Sequence, residues 1–158
     1  MTSTTQSYEI KGSRVVRLSI NDIRASAQRF GEILGVNRHT AANMESFVEK
    51  LSDENICIDP VSDDEWLFVT DAICIPEDFT IRMPERTFIK LCAGDRNAIG
   101  LLFHELGHLM LGHKTVLHSE KSAAPTPEED SEFQADVFAT FVMSRMKLAE
   151  VGQLCFEF

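Results

Sequence analysis

Phe103-His104-Glu105-Leu106-Gly107-His108-Leu109 decides the reading of this chain, because it sets two histidines four residues apart with a glutamate directly after the first. Around it Ile99, Leu102, Phe103, Leu106 and Leu109 recur at helical spacing, so the stretch predicts one helix that starts at an Asp95 cap and runs to about Gly112. Residues four apart on a helix share a face. His104 and His108 therefore present two imidazole nitrogens to one point, an arrangement that suits a Zn²⁺ ion. Glu105 stands beside them, where it can take a proton from water that the metal activates. The helix still has an apolar stripe to bury.

A catalytic zinc site uses three protein ligands and keeps a further position open. Downstream, Glu132 and Asp136 lie four apart on the polar side of a second helix, whose Phe133, Val137, Phe138, Phe141 and Val142 supply an apolar side for docking. Packed against the first helix, it lets Glu132 complete a His₂Glu set, while Asp136 accepts a hydrogen bond from the non-ligating nitrogen of a ligand histidine. Thr126-Pro127-Glu128-Glu129 reads as the start of this helix, with Thr126 as cap, Pro127 at the first position and Glu129 closing a capping box. Glu129 is the alternative ligand if the phase of the helix differs by a turn. His113, five residues past His108, falls off the ligand face and suits the negative end of the helix dipole. His118, in the polar stretch Lys114 to Pro125, is a candidate hydrogen-bond donor to a transition state. Tyr8, the only tyrosine, lies in the opening segment and is not expected to reach the site.

Residues 1–18 read as a flexible lead-in with a strand expected at Val15 to Leu18, and residues 19–158 as one domain. A helix capped by Ser19 or Asn21 carries Ile23, Ala27, Phe30 and Leu34 and stops at Gly35. A second follows Thr40, with Met44, Phe47, Val48 and Leu51 at helical spacing. From Asn55 the pattern shifts to β-rich runs, Ile56 to Asp59, Trp66 to Thr70, Ala72 to Ile75 and Phe79 to Met83, which read as a small, mostly antiparallel sheet. Pro84 opens a short helix that Gly94 closes. The expected class is α+β: helices, the histidine helix among them, packed on a small sheet.

Composition bounds the function. A chain of 158 residues supports one hydrophobic core. Its net charge of −10 would be repelled by nucleic-acid backbones and anionic membranes, so direct nucleic-acid binding is excluded from the expectation. No apolar run is long enough for a transmembrane helix, and Met1 to Ile10 has no signal-peptide pattern, which points to the cytoplasm. Cys57, Cys74, Cys92 and Cys155 form no C-x-x-C pair and read as reduced cysteines packed in apolar runs.

Taken together, the chain resembles the ImmA/IrrE family of intracellular zinc peptidases from about Ile20 to Met146. The resemblance rests on the paired N-terminal helices, the short sheet, Ile81-Arg82-Met83-Pro84-Glu85, Ala93-Gly94-Asp95-Arg96, the His104-Glu105-Leu106-Gly107-His108 helix and Glu132-Phe133-Gln134-Ala135-Asp136-Val137-Phe138-Ala139. Two motifs in the right order are far more specific than one. The resemblance implies a zincin-like single domain, zinc on His104, His108 and Glu132, Glu105 as general base, and a helix-turn-helix repressor as protein substrate. Leu102, Phe103 and Ser144 depart from the usual pattern at positions that affect packing, which bears on the choice of partner. A strand, Phe79 to Met83, is expected to align the substrate by edge pairing. The alternative is a module that captures a repressor or antitoxin-like partner without cleaving it, its zinc structural or vestigial.

Overall fold

Ser19 sets the first helix. In the computed structural model, which describes residues 7–113 and 124–147, the Ser19 hydroxyl accepts the Asp22 N–H at 3.1 Å and the Asp22 carboxylate accepts the Ser19 N–H at 3.3 Å. This reciprocal box opens α1 (Ile20–Ile33). Gly35 then adopts a φ of 63°, a left-handed conformation that a side chain would strain, and the chain turns. A 3₁₀ turn over Thr40–Asn43 leads into α2 (Met44–Asp53), whose Met44, Phe47 and Leu51 are buried as their spacing predicts.

Three strands follow, β1 (Cys57–Val61), β2 (Ile73–Ile75) and β3 (Thr80–Pro84), in the spatial order β1-β3-β2. β1 runs parallel to β3, with Cys57 opposite Thr80, and β2 runs antiparallel to it, with Cys74 opposite Ile81. The sheet is thus mixed, not mostly antiparallel. β3 takes the centre because its Ile81 and Met83 are fully buried, and this separates the two strands that precede it. The expected strand at Trp66 to Thr70 does not form. The Trp66 indole N–H donates to the Thr70 carbonyl at 2.8 Å and closes the stretch into a loop, leaving Leu67 and Val69 in solvent. Cys57 is exposed because it begins an edge strand, whereas Cys74 and Cys92 are half-buried.

α3 (Glu85–Cys92) rises from Pro84, and Gly94 turns the chain at a φ of 80°. Asp95 then caps α4 (Arg96–Met110), its carboxylate accepting the Ala98 N–H at 3.0 Å. The box between Thr126 and Glu129 forms, but it closes only a 3₁₀ turn over Pro127–Glu129. The helix α5 (Ser131–Arg145) begins later than expected. Asp130 stays extended and its carboxylate accepts the Glu132 N–H at 3.0 Å, so Asp130 and not Thr126 is the α-helical cap.

α5 packs against both α1 and α4, which is why Ala135, Val137, Phe138, Ala139, Val142 and Met143 are buried along it while Glu132 and Asp136 emerge. Phe30 meets Phe138 edge-on at 5.5 Å and Phe103 at 6.3 Å, tying the three helices together. Burying each such ring contributes about 1.5–3 kcal/mol before chain entropy is counted. The architecture is α+β, five helices on a three-stranded mixed sheet among the described residues. Residues 8–18, read from sequence as a lead-in, lie along the start of α5. Val15 is buried and its N–H donates to the Glu129 carbonyl at 2.8 Å, but the strand expected at Val15 to Leu18 does not form, and a single bridge between Arg14 and Asp130 lies just before it. No described helix is long and apolar enough to cross a membrane. His118 and Cys155 lie outside the described residues.

Candidate metal centre

Gly107 lets α4 and α5 approach. A Cβ at this position would come within 3.0 Å of the Ala135 Cα and 3.1 Å of its carbonyl oxygen, so glycine lets the two helices lie a few tenths of an ångström closer than a side chain would. The approach carries Glu132 to the histidine face. Glu132 Oε2 lies 2.8 Å from His104 Nε2, Glu132 Oε1 lies 3.3 Å from His108 Nε2, and the two Nε2 atoms are 3.2 Å apart. These three side chains can hold one metal ion, their ligand atoms all falling within 4.8 Å of one another.

The outer faces of both rings are also held. His104 Nδ1 lies 2.6 Å from Asp136 Oδ1, so Nδ1 donates to the carboxylate and Nε2 is turned toward the centre. On the other side the Gln134 amide nitrogen donates to the carbonyls of Val16 at 2.9 Å and Glu128 at 2.6 Å. That orients its Oε1 as an acceptor for His113 Nε2 at 2.7 Å. His113 Nδ1 is then the acceptor in its 2.8 Å contact with His108 Nδ1. The hydrogen-bond pattern thus assigns the proton of His108 to Nδ1 and leaves Nε2 with its lone pair inward.

Once the proton on His104 Nε2 has left, two nitrogen lone pairs and a carboxylate face one point, where they repel unless a cation sits among them. One nitrogen-nitrogen-oxygen donor set of borderline softness fits Zn²⁺ well. The electrostatics agree. Burial disfavours charge on His104, but hydrogen bonds to Asp136 and Glu132 outweigh it and raise its pKa to about 10, so a proton is held where a cation would otherwise serve. The hydrogen bond from His104, with His108 close by on the other side, holds the Glu132 carboxyl well below the usual range despite burial. Burial keeps His113 neutral, pushing its pKa down to about 4 against the Gln134 hydrogen bond, as its relay position requires.

Glu105 opens onto the same cleft, a space of about 510 Å³ that His104, His108, His113, Glu132 and the β2 residues Ile73 and Cys74 also line. Burial raises the Glu105 pKa, the nearby histidines lower it, Glu132 raises it, and a hydrogen bond from the Cys74 main chain lowers it, with a net shift upward. The strand beside the cleft is therefore β2. The expected Phe79 to Met83 strand corresponds to β3, which is paired on both sides and has no free edge for a substrate.

All of His104, Glu105, His108, Glu132 and Asp136 come together as the sequence suggests. Glu129 does not join them, since it pairs with Arg14 at 2.8 Å and with Thr126 of its own turn. Two participants escape the sequence reading. His113 is off the ideal helical face, but α4 has ended by then: Gly112 takes a φ of 61°, the His113 N–H returns to the His108 carbonyl at 3.2 Å, and the Gly112 N–H to that of Leu109 at 3.3 Å. This Schellman turn folds His113 back beside His108, and Gly112 was its visible signal. Gln134 is the second, hidden because its role depends on the carbonyl of Val16, distant in sequence. The Tyr8 segment, expected to stay away, instead borders the cleft through Gly12, Ser13 and Val15. No family model, curated protein or solved structure matches this chain.

Proposed function

We propose that this chain is a zinc-dependent metallo-endopeptidase of the ImmA/IrrE kind, acting in the cytoplasm on a regulatory protein, a helix-turn-helix repressor. The observation that carries the reading is the convergence of His104, His108 and Glu132 with Glu105 beside them on an open cleft. A purely structural metal site has no use for a half-buried carboxylate at its open side. When bound, Zn²⁺ supplies a Lewis acid that polarises a peptide carbonyl and acidifies water.

The remaining work belongs to the protein. Glu105, its carboxyl pKa raised by burial, accepts the proton of the attacking water and returns it to the leaving amine. Asp136 and the His113–Gln134 pair hold the two ligand rings so that neither reorients during the reaction. The outer edge of β2, next to Glu105, aligns an extended segment of the substrate by main-chain hydrogen bonds, which favours cleavage in a loop or linker. The negative net charge fits a protein that meets its repressor directly and not the DNA beneath it.

Incubation of the Zn²⁺-loaded protein with the repressor encoded next to its gene, with and without a chelator, tests the reading. Fragments that appear only without chelator are the expected result; a stable complex with no fragments would establish capture in place of cleavage.

A further inference from the structure

Among the described residues, buried polar side chains concentrate at the start of α5. Asp130 and Gln134 are 0% exposed and Ser131 5%, and they flank the ligand Glu132 at the start of α5. Each is bonded to the segment formed by residues 8–18. Asp130 Oδ2 accepts the Tyr8 hydroxyl at 2.7 Å and the Lys11 N–H at 2.8 Å. Asp130 Oδ1 accepts both the Gly12 N–H at 3.1 Å and the Glu132 N–H at 3.0 Å, so one oxygen ties the segment to the backbone of the ligand. Ser13 and Ser131 bond reciprocally, Ser13 N–H to Ser131 Oγ at 2.9 Å and Ser131 N–H to the Ser13 carbonyl at 3.0 Å. Gln134, which orients His113 and through it His108, is held by the Val16 carbonyl.

Packing agrees with the hydrogen bonds. A Cβ on Gly12 would stand 2.5 Å from Ser131 Oγ and 2.6 Å from Glu132 Cγ, so the backbone of Gly12 is pressed directly against the ligand side chain. We infer that residues 8–18 are part of the metal centre, a strap whose Gly12, Tyr8 and Val16 act as positioning elements for Glu132 and His108. The inference rests on the proposed metal site and assigns the strap a role in its affinity and geometry. Without the strap Asp130 would keep its cap on Glu132 but lose the partners that fix its carboxylate, and Gln134 would lose one of the two carbonyls that orient its amide.

Titration with Zn²⁺ against a chromophoric chelator, together with the visible absorption of the Co²⁺-substituted protein, tests this. Gly12→Ala is expected to weaken Zn²⁺ binding by about 10–100-fold and to change the Co²⁺ band, because Glu132 must shift. Tyr8→Phe deletes one hydroxyl at a half-buried position, leaves the fold intact, and should weaken binding by a few-fold. Gly35→Ala, strained at a positive φ remote from the site, should lower thermal stability while leaving Zn²⁺ affinity and the Co²⁺ band unchanged. Affinity and spectrum equal to those of the unmodified chain in Gly12→Ala would overturn the inference, and if that variant does not fold, unchanged affinity in Tyr8→Phe overturns it. Failure of the unmodified chain to take up either metal would overturn the metal site and the strap's role together.

Discussion

His104 Nδ1 lies 2.6 Å from Asp136 Oδ1, so a ligand on α4 is oriented by a carboxylate 32 residues later on α5. Asp136 is half exposed and supports no core packing, which separates its effect on the metal from any effect on the fold. Asp136→Ala is therefore expected to lower Zn²⁺ affinity by about 10–100-fold, measured by chelator competition, with the metal-free protein losing only the stability of its ion pair with His104.

Glu105 contacts the cleft but is not among the three ligands. Glu105→Gln keeps the shape of the side chain and removes its ability to accept a proton. Zinc content should equal that of the unmodified protein while the rate of repressor cleavage falls by about 10²–10⁴-fold. Parallel metal analysis and quantification of fragments check both halves of this expectation.

The metal-free protein should respond to pH at two histidines in opposite senses. The His104 pKa is raised in the fold from 6.5 to about 10, so its ion pairs stabilise fully below pH 6.5 and are lost as the pH climbs toward 10. Zn²⁺ must displace that proton, and its apparent affinity should increase about tenfold per pH unit across the same window. The His113 pKa is depressed from 6.5 to about 4, so its contribution is present above pH 6.5 and is lost as the pH falls toward 4. Denaturant titrations of His113→Gln should show less loss of stability between those pH values than the unmodified chain.

Gly107 carries the contact between the two site helices. In Gly107→Ala the new methyl group meets the Ala135 backbone and the Phe138 Cβ, none of which is the flexible end of a side chain. The helices must separate, at a cost of about 1–3 kcal/mol by chemical denaturation, and Zn²⁺ affinity should fall because Glu132 moves away from the histidines.

What could be read in the sequence follows from distance along the chain. His104, Glu105 and His108 are legible because helix geometry alone places them together, and Glu132 with Asp136 because a second four-residue spacing repeats the logic. Docking of that second helix makes one site of two patterns. The late start of α5 is illegible because Thr126-Pro127-Glu128-Glu129 satisfies every local rule for a helix start, while Asp130 is recruited by Tyr8, Lys11 and Gly12 from the far end of the chain. The strand order fails for the same reason. Local alternation in Ile56 to Asp59 and Phe79 to Met83 marks them as strands, yet only the burial of Ile81 and Met83 under the helices decides that β3 lies between the other two. Trp66 to Thr70 has the β-rich composition of a strand, and a single indole hydrogen bond turns it into a loop.

His104, His108 and Glu132 together are expected to form a zinc site. Quantification of zinc after reconstitution and exhaustive dialysis, in the unmodified protein and in Glu132→Ala and His108→Ala, tests this. The expected result is about one Zn²⁺ per chain in the unmodified protein and far less in both variants. A folded, unmodified protein that retains no zinc, or variants that retain it in full, would contradict the account.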